Sequence, residues 1–137
     1  MKQLRVLLVE DDLDLIEDLP RTLATYDINC VATSDSNEAV MRVQEGSHDC
    51  VILDLKMPYP EDMTDDETKG GRLTGLVVCR RIRRFDAKTP ILVVTSITDP
   101  AVHADVLRAG VNKVLCKPVF PDEIVNAIRA MTRGART

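Results

Sequence analysis

Three carboxylates, an ammonium and a hydroxyl stand where apolar runs of this chain end, and together their types suit phosphoryl transfer. Glu10 and Asp11 follow Leu4 to Val9, Asp54 follows Cys50-Val51-Ile52-Leu53, Thr95 and Ser96 close the run from Ile91, and Lys117-Pro118 follows Lys113 to Cys116. Each run has the length of a buried strand, so a carboxylate at its end is unusual. Asp54 can act as a nucleophile that accepts a phosphoryl group. Carboxylates crowded at one edge repel each other and call for a cation. The hard oxygens of Glu10, Asp11 and Asp54, completed by water, suit Mg²⁺ better than zinc, which prefers nitrogen and sulfur. Lys117 brings a compact positive charge for one phosphoryl oxygen, and Thr95 a hydroxyl donor for another. No nucleotide-binding loop accompanies them.

These residues need a scaffold that brings strand ends to one edge, and the chain alternates accordingly. Leu13, Ile16, Leu19 and Leu23 recur at helical spacing, with Asp12 or Asp14 as N-cap and Pro20 predicting a kink or a late start. Ile28 to Ala32 reads as a second strand. Ser36 then caps a helix burying Ala39, Val40 and Val43 that ends at Gly46. A helix from about Thr74 to Phe85 buries Leu76, either Cys79 or Val78, and Ile82, and turns Arg80, Arg81, Arg83 and Arg84 to solvent. Pro100 opens a helix stopped by Gly110, and the last helix starts near Pro121, buries Ile124, Ala127, Ile128 and Met131, and runs into a polar tail over 133–137. Five βα units with near-continuous apolar strands predict an α/β sandwich with a parallel sheet covered on both faces. If the strand order reverses after the first strand, the functional crevice lies at the carboxyl ends of the first and third.

Composition narrows the classes. A chain of 137 residues is read as a single domain over 1–137, with a core of about 4–132. A net charge of −4 argues against general nucleic-acid binding. No apolar run is long enough to span a bilayer and the start carries no signal-peptide pattern, so a cytoplasmic protein without membrane insertion is expected. Cys30, Cys50, Cys79 and Cys116 are scattered through apolar segments and read as small buried thiols, not a disulfide or zinc set. His48 and His103 read as isolated surface residues.

Four fragments in order carry a resemblance: Val6-Leu7-Leu8-Val9-Glu10-Asp11-Asp12, Asp49 through Asp54 to Met57-Pro58, Pro90 to Thr95-Ser96, and Gly110 to Lys117-Pro118. The chain resembles the receiver domain of two-component response regulators, in particular the single-domain chemotaxis type. The resemblance implies a flavodoxin-like (βα)5 sandwich of strand order 2-1-3-4-5. It implies that Asp54 takes a phosphoryl group from a phosphohistidine on a sensor histidine kinase or histidine phosphotransfer protein. Asp11 and Asp54 then bind Mg²⁺ directly, Glu10 acts through water, and the main-chain carbonyl of Lys56 completes the protein ligands. Lys117 pairs with the phosphoryl oxygen, Thr95 swings to hydrogen-bond it, and Lys117-Pro118 is a cis bond that directs the lysine. Such a chain is a signalling domain that catalyses only its own phosphorylation and dephosphorylation. No output domain is expected in this sequence, which reads as stand-alone or as a receiver cut from something larger.

Two departures from the family pattern stand out. Where a short turn usually follows Met57-Pro58, this chain carries an acidic insertion over 59–74, read first as a mobile hydrated loop and second as a lid or partner-specificity element. Its carboxylates lack the alternation of a calcium loop. Three residues before the lysine, the usual tyrosine or phenylalanine is Val114, which predicts an output through different contacts, or a protein that mainly relays or buffers phosphoryl groups. Three other classes fit the residues less well. An aspartate-nucleophile phosphatase needs a second aspartate where Lys56 stands. A flavodoxin-like cofactor binder would meet repulsion at Glu10-Asp11-Asp12. A degenerate receiver serving as an interaction module would have lost the acidic pair, the acceptor or the lysine.

Overall fold

The computed structural model describes residues 3–135. Five parallel strands, β1 (Leu4–Val9), β2 (Ile28–Thr33), β3 (Cys50–Leu53), β4 (Ile91–Thr95) and β5 (Lys113–Cys116), lie in the order 2-1-3-4-5. Side chains alternate across a strand, and the core divides accordingly. Leu7, Val9, Val51, Leu53, Ile91 and Val93 face one layer, built from α2 (Ser36–Gln44), α4 (Thr74–Arg83) and α5 (Pro100–Arg108). Val6, Leu8, Cys50, Ile52, Leu92 and Val94 face the other, built from α1 (Leu13–Ala24) and α6 (Pro121–Ala135). The result is the doubly wound sandwich that the apolar periodicity predicts.

Local chemistry sets the helix ends, in places differently from the sequence reading. Asp12 caps α1 by accepting from the amides of Asp14 and Leu15. The helix therefore starts on time, and Pro20 sits inside it without ending it. The cap of α2 is Asp35, which accepts from Asn37 and Glu38, whereas Ser36 is the first helical residue and its buried hydroxyl has no partner. α4 closes at Arg83, two residues before Phe85. Helix α6 extends through Ala135, so residues 133–135 continue a helix where a tail was expected, and 136–137 lie outside the described residues.

The insertion is folded against the domain. It contains a short helix, α3 (Asp65–Thr68), with a capping box: Glu67 N donates to Thr64 Oγ1 at 3.0 Å and Thr64 N to Glu67 Oε2 at 2.8 Å. Met63 and Thr68 are buried. Arg81 of α4 holds Asp62 at 2.8 Å, and Asn37 of α2 donates to the same carboxylate at 3.2 Å. The segment after Pro58 is therefore not a structureless loop. The arginines of α4 are likewise not a uniformly solvated face: Arg80 and Arg84 are exposed, but Arg81 and Arg83 are half-buried, Arg83 donating twice to the carbonyl of Gly110.

One glycine fixes how closely α4 approaches the strand that ends in Asp54. Gly75 N donates to Leu55 O at 2.9 Å, and a Cβ on Gly75 would lie 2.0 Å from the carbonyl oxygen of Asp54 and 2.8 Å from Leu53 Cδ1. Any side chain there forces the helix off the strand. We expect Gly75→Ala to destabilise the fold by about 3 kcal/mol in urea unfolding, through overpacking. Gly46→Ala, with φ +72° but open space around it, should cost about 1 kcal/mol. Equal losses in the two variants would contradict the close approach.

Candidate functional site

The ladder continues one residue past each strand and so carries functional groups with it. Asp54 N donates to Val9 O at 3.1 Å, Glu10 N to Thr33 O at 3.0 Å and Lys117 N to Thr95 O at 2.8 Å. Strand geometry, not loop conformation, places all three backbones. Glu10 and Asp54 also continue the alternation of Val6, Leu8, Cys50 and Ile52, which turns both toward the same face of the sheet.

There they meet one cation. Lys117 Nζ donates to Glu10 Oε1 at 2.9 Å and to Asp54 Oδ2 at 2.8 Å. Glu10 is only 1% exposed and Asp54 7%. The remaining oxygens are used locally: Glu10 Oε2 accepts from the amides of Asp11 at 3.1 Å and Asp12 at 3.4 Å, and Asp54 Oδ1 accepts from Leu55 N at 2.7 Å. Burial pushes the Glu10 carboxyl above its ordinary pKa; the Lys117 hydrogen bond opposes that shift and the Asp54 charge adds to it. For Lys117, burial works against the ammonium, yet the hydrogen bonds to Asp54 and Glu10 outweigh it and raise its pKa. The lysine stays charged.

The other residues singled out in the sequence surround this pair. Asp11 is exposed, and among the described residues its side chain accepts no hydrogen bond. It lines a cavity of about 840 Å³ together with Lys56, Ser96, Tyr59, Gly71 and Arg72. Thr95 is fully buried, and its hydroxyl oxygen accepts from Ile97 N at 3.2 Å, away from the Lys117 cluster. The bond between Lys117 and Pro118 is cis. Val114 is half-buried and packs against the core.

The donor set can be tested against a hard divalent cation. Two carboxylates, Glu10 and Asp54, share a single ammonium, Asp11 follows Glu10 directly in the chain, and the unmatched negative charge, all on oxygen, is of the kind Mg²⁺ neutralises. Among the described residues no three Asp, Glu, His or Cys side chains already form a metal cage. Mg²⁺ rarely requires one, since it usually keeps several waters and takes one or two carboxylates. The residues therefore fit.

Two expectations need correction. Cys116 is exposed, not buried, and Cys30 is half-buried; Cys50 and Cys79 are buried, and burial pushes the thiols of Cys30 and Cys50 up to about 12. His48 and His103 are half-buried, and a ring nitrogen of His103 lies 2.6 Å from the carbonyl of Ile97, beside Cys116. Residues of the insertion, above all Arg72, enter the site's cavity without having been assigned a role from sequence. The Gly70-Gly71 pair, both glycines at positive φ, is the signal that a tight turn returns the chain there.

The comparisons with known proteins agree with this geometry. A model of the response regulator receiver domain matches residues 6–129. The response regulator MprA of Mycobacterium leprae is 32% identical over 133 residues, covering 97% of this chain and 53% of that protein. The chain spans about half the length of the curated relatives it matches. A solved two-component response regulator of the LuxR family from Aurantimonas sp. superposes with a TM-score of 0.79 at 28% identity, covering 97% of this chain and 87% of that one. A CheY-like receiver domain protein from Methanospirillum hungatei gives a TM-score of 0.82 over 98% of both chains, and at 17% identity that likeness shows the fold alone. Among the described residues no helix is long and apolar enough to cross a membrane.

The electrostatics generate a pH prediction for metal-free protein. A carboxyl whose pKa is raised on folding stabilises the fold below its unfolded value, and that contribution is lost as pH rises through the folded value. NMR titration in chelator should therefore show Glu10 titrating above the ordinary carboxylate range. Over the same window the parent should lose stability with rising pH, and Glu10→Gln should not. A Glu10 that titrates at or below its ordinary value would contradict the assigned burial.

Proposed function

The chain belongs to the response regulator receiver family, and from that premise we propose that Asp54 accepts a phosphoryl group from a phosphohistidine on a sensor histidine kinase or histidine phosphotransfer protein. One observation carries the reading: Lys117 Nζ bridges Asp54 and Glu10 at 2.8 and 2.9 Å at the carboxyl edge of a 2-1-3-4-5 sheet. An Asp54 carboxylate oxygen forms the new bond to phosphorus while the bond from phosphorus to the donor nitrogen breaks. Lys117 is placed to follow the charge from the carboxylate to the phosphoryl oxygens. Thr95 releases the Ile97 amide and donates its hydroxyl to the phosphoryl group. Asp11, Asp54, the Lys56 carbonyl and, through water, Glu10 would hold magnesium, which would supply positive charge to neutralise the transferring group.

We further propose that the output differs from the usual one. Val114 is half-buried against the core, and a valine there lacks the ring that commonly changes position with the threonine. The downstream partner therefore reads other contacts, or the chain chiefly relays phosphoryl groups within the cytoplasm.

Two measurements test these readings. Incubation with phosphoramidate, followed by intact mass, should give one Mg²⁺-dependent phosphoryl adduct that is lost in Asp54→Asn; an adduct that persists in the variant, or forms equally well in chelator, would sink the proposal. For the output, amide shifts on α5, β5 and α6 should respond to phosphorylation differently in Val114→Tyr and in the parent. Identical responses would argue that the valine has no special consequence.

A further inference from the structure

Two cavities open beside the Lys117 cluster, and they differ in what they can bind. The smaller, of about 380 Å³, is lined by Asp12, Leu15, Val94, Lys117, Pro118 and Val119, so it offers an anion no cation besides Lys117. The larger, of about 840 Å³, lies on the side of Asp11 and Lys56 and includes Ser96, which follows β4. Its size suits a small molecule. The insertion after Pro58 contributes Tyr59, Gly71 and Arg72 to its wall.

That wall is tied to the segment leaving Asp54. Met57 N donates to Gly71 O at 3.0 Å, Thr74 Oγ1 donates to Met57 O at 2.6 Å, and Gly71 N donates to Thr68 Oγ1 at 3.2 Å. Gly71 has φ +89°, and a Cβ there would stand 3.0 Å from Met57 O, so the backbone beside Arg72 is pressed against the active strand's exit. Three nearby cations have partners: Arg81 pairs with Asp62, Arg83 bonds Gly110, and Lys69 lies 3.9 Å from Asp66. Arg72, like Lys56 in the same cavity, has none among the described residues. It is exposed at the cavity, and among the described residues its guanidinium makes no hydrogen bond or ion pair.

Arg72 and Lys56 offset the carboxylates of Asp11 and Asp99 in the same cavity lining, and the unpaired guanidinium's planar fork matches two oxygens of a phosphoryl group. We infer that Arg72 is a substrate-binding residue that docks the phosphoryl dianion of a small-molecule phosphodonor on its way to Asp54. The inference rests on the reading of Asp54 as acceptor. With phosphoramidate, the Asp54–phosphorus bond forms, the phosphorus–nitrogen bond breaks, and the protonated nitrogen departs as ammonia. With acetyl phosphate, the phosphorus–oxygen bond breaks and acetate departs. Arg72 binds the group common to both donors and takes no part in either leaving group.

The test measures adduct formation in Mg²⁺ by intact mass as a function of donor concentration, for parent, Arg72→Gln and Arg72→Lys, with each of the two donors. Because the exposed Arg72 side chain makes no hydrogen bond or ion pair among the described residues, the variants should be as stable as the parent. Docking predicts that Arg72→Gln raises the half-saturating concentration about fivefold for both donors and leaves the maximal rate unchanged. Arg72→Lys should recover part of the loss. Equal half-saturation in parent and Arg72→Gln, while an Asp54 adduct still forms, would overturn the inference alone. So would an effect confined to one donor, which would mean that the leaving group is being read, or a lower maximal rate at unchanged half-saturation. No adduct in the parent would remove the acceptor reading and this inference with it.

Discussion

A single ammonium reconciles two buried carboxylates that belong to different strands. Lys117 Nζ lies 2.8 Å from Asp54 and 2.9 Å from Glu10, which are 7% and 1% exposed. Without it, two negative charges in low dielectric would drive one another toward protonation or out into solvent. The lysine reaches them because the ladder extends one residue past β1, β3 and β5, and because α1 and α6 close the same face of the sheet. The sheet, the helix layers and the close approach of α4 through Gly75 all serve to keep that edge in register. The same charge balance gives the site its chemistry. On the proposed reading, a phosphoryl group would add negative charge where a cation already stands, and the exposed Asp11 at the adjoining cavity would be open to a divalent ion.

Much of this is legible in the amino-acid sequence, for identifiable reasons. Strands such as Cys50–Leu53 are continuous apolar runs, and runs of that kind ending in Glu10, Asp54, Thr95 and Lys117 declare both the parallel sheet and the edge that carries its polar groups. Caps are less legible. Asp35 and Ser36 are adjacent, both are good caps, and only backbone dihedrals separate the cap from the first helical residue. Cys116 misleads because a strand at the edge of a sheet is apolar in sequence yet left open; in β5 Val114 and Leu115 are half-buried while Lys113 and Cys116 at its ends are exposed.

The insertion shows a different limit. Thr64 and Glu67 are a capping box in plain view, yet the acidic run around them reads as a hydrated loop, because charge density outweighs a four-residue helix in any pattern. What orders it is tertiary: Asp62 held by Arg81 and Asn37, Met63 and Thr68 buried, and Gly71 against Met57. Arg81 and Asn37 stand 19 and 25 residues from Asp62, separations that no local pattern recognises. The same contacts place Tyr59 and Arg72 in the wall of the cavity that Asp11 and Lys56 line.

The central claim is chemical and concerns one atom pair, an Asp54 carboxylate oxygen and phosphorus. It is tested most directly by treating the protein with phosphoramidate and Mg²⁺, reducing the product with borohydride, and locating the modified residue by peptide mass mapping. Reduction of an aspartyl phosphate leaves homoserine, so the prediction is homoserine in place of Asp54 and at no other aspartate. Homoserine at Asp11, Asp12 or within the acidic insertion, with position 54 still aspartate, would contradict it.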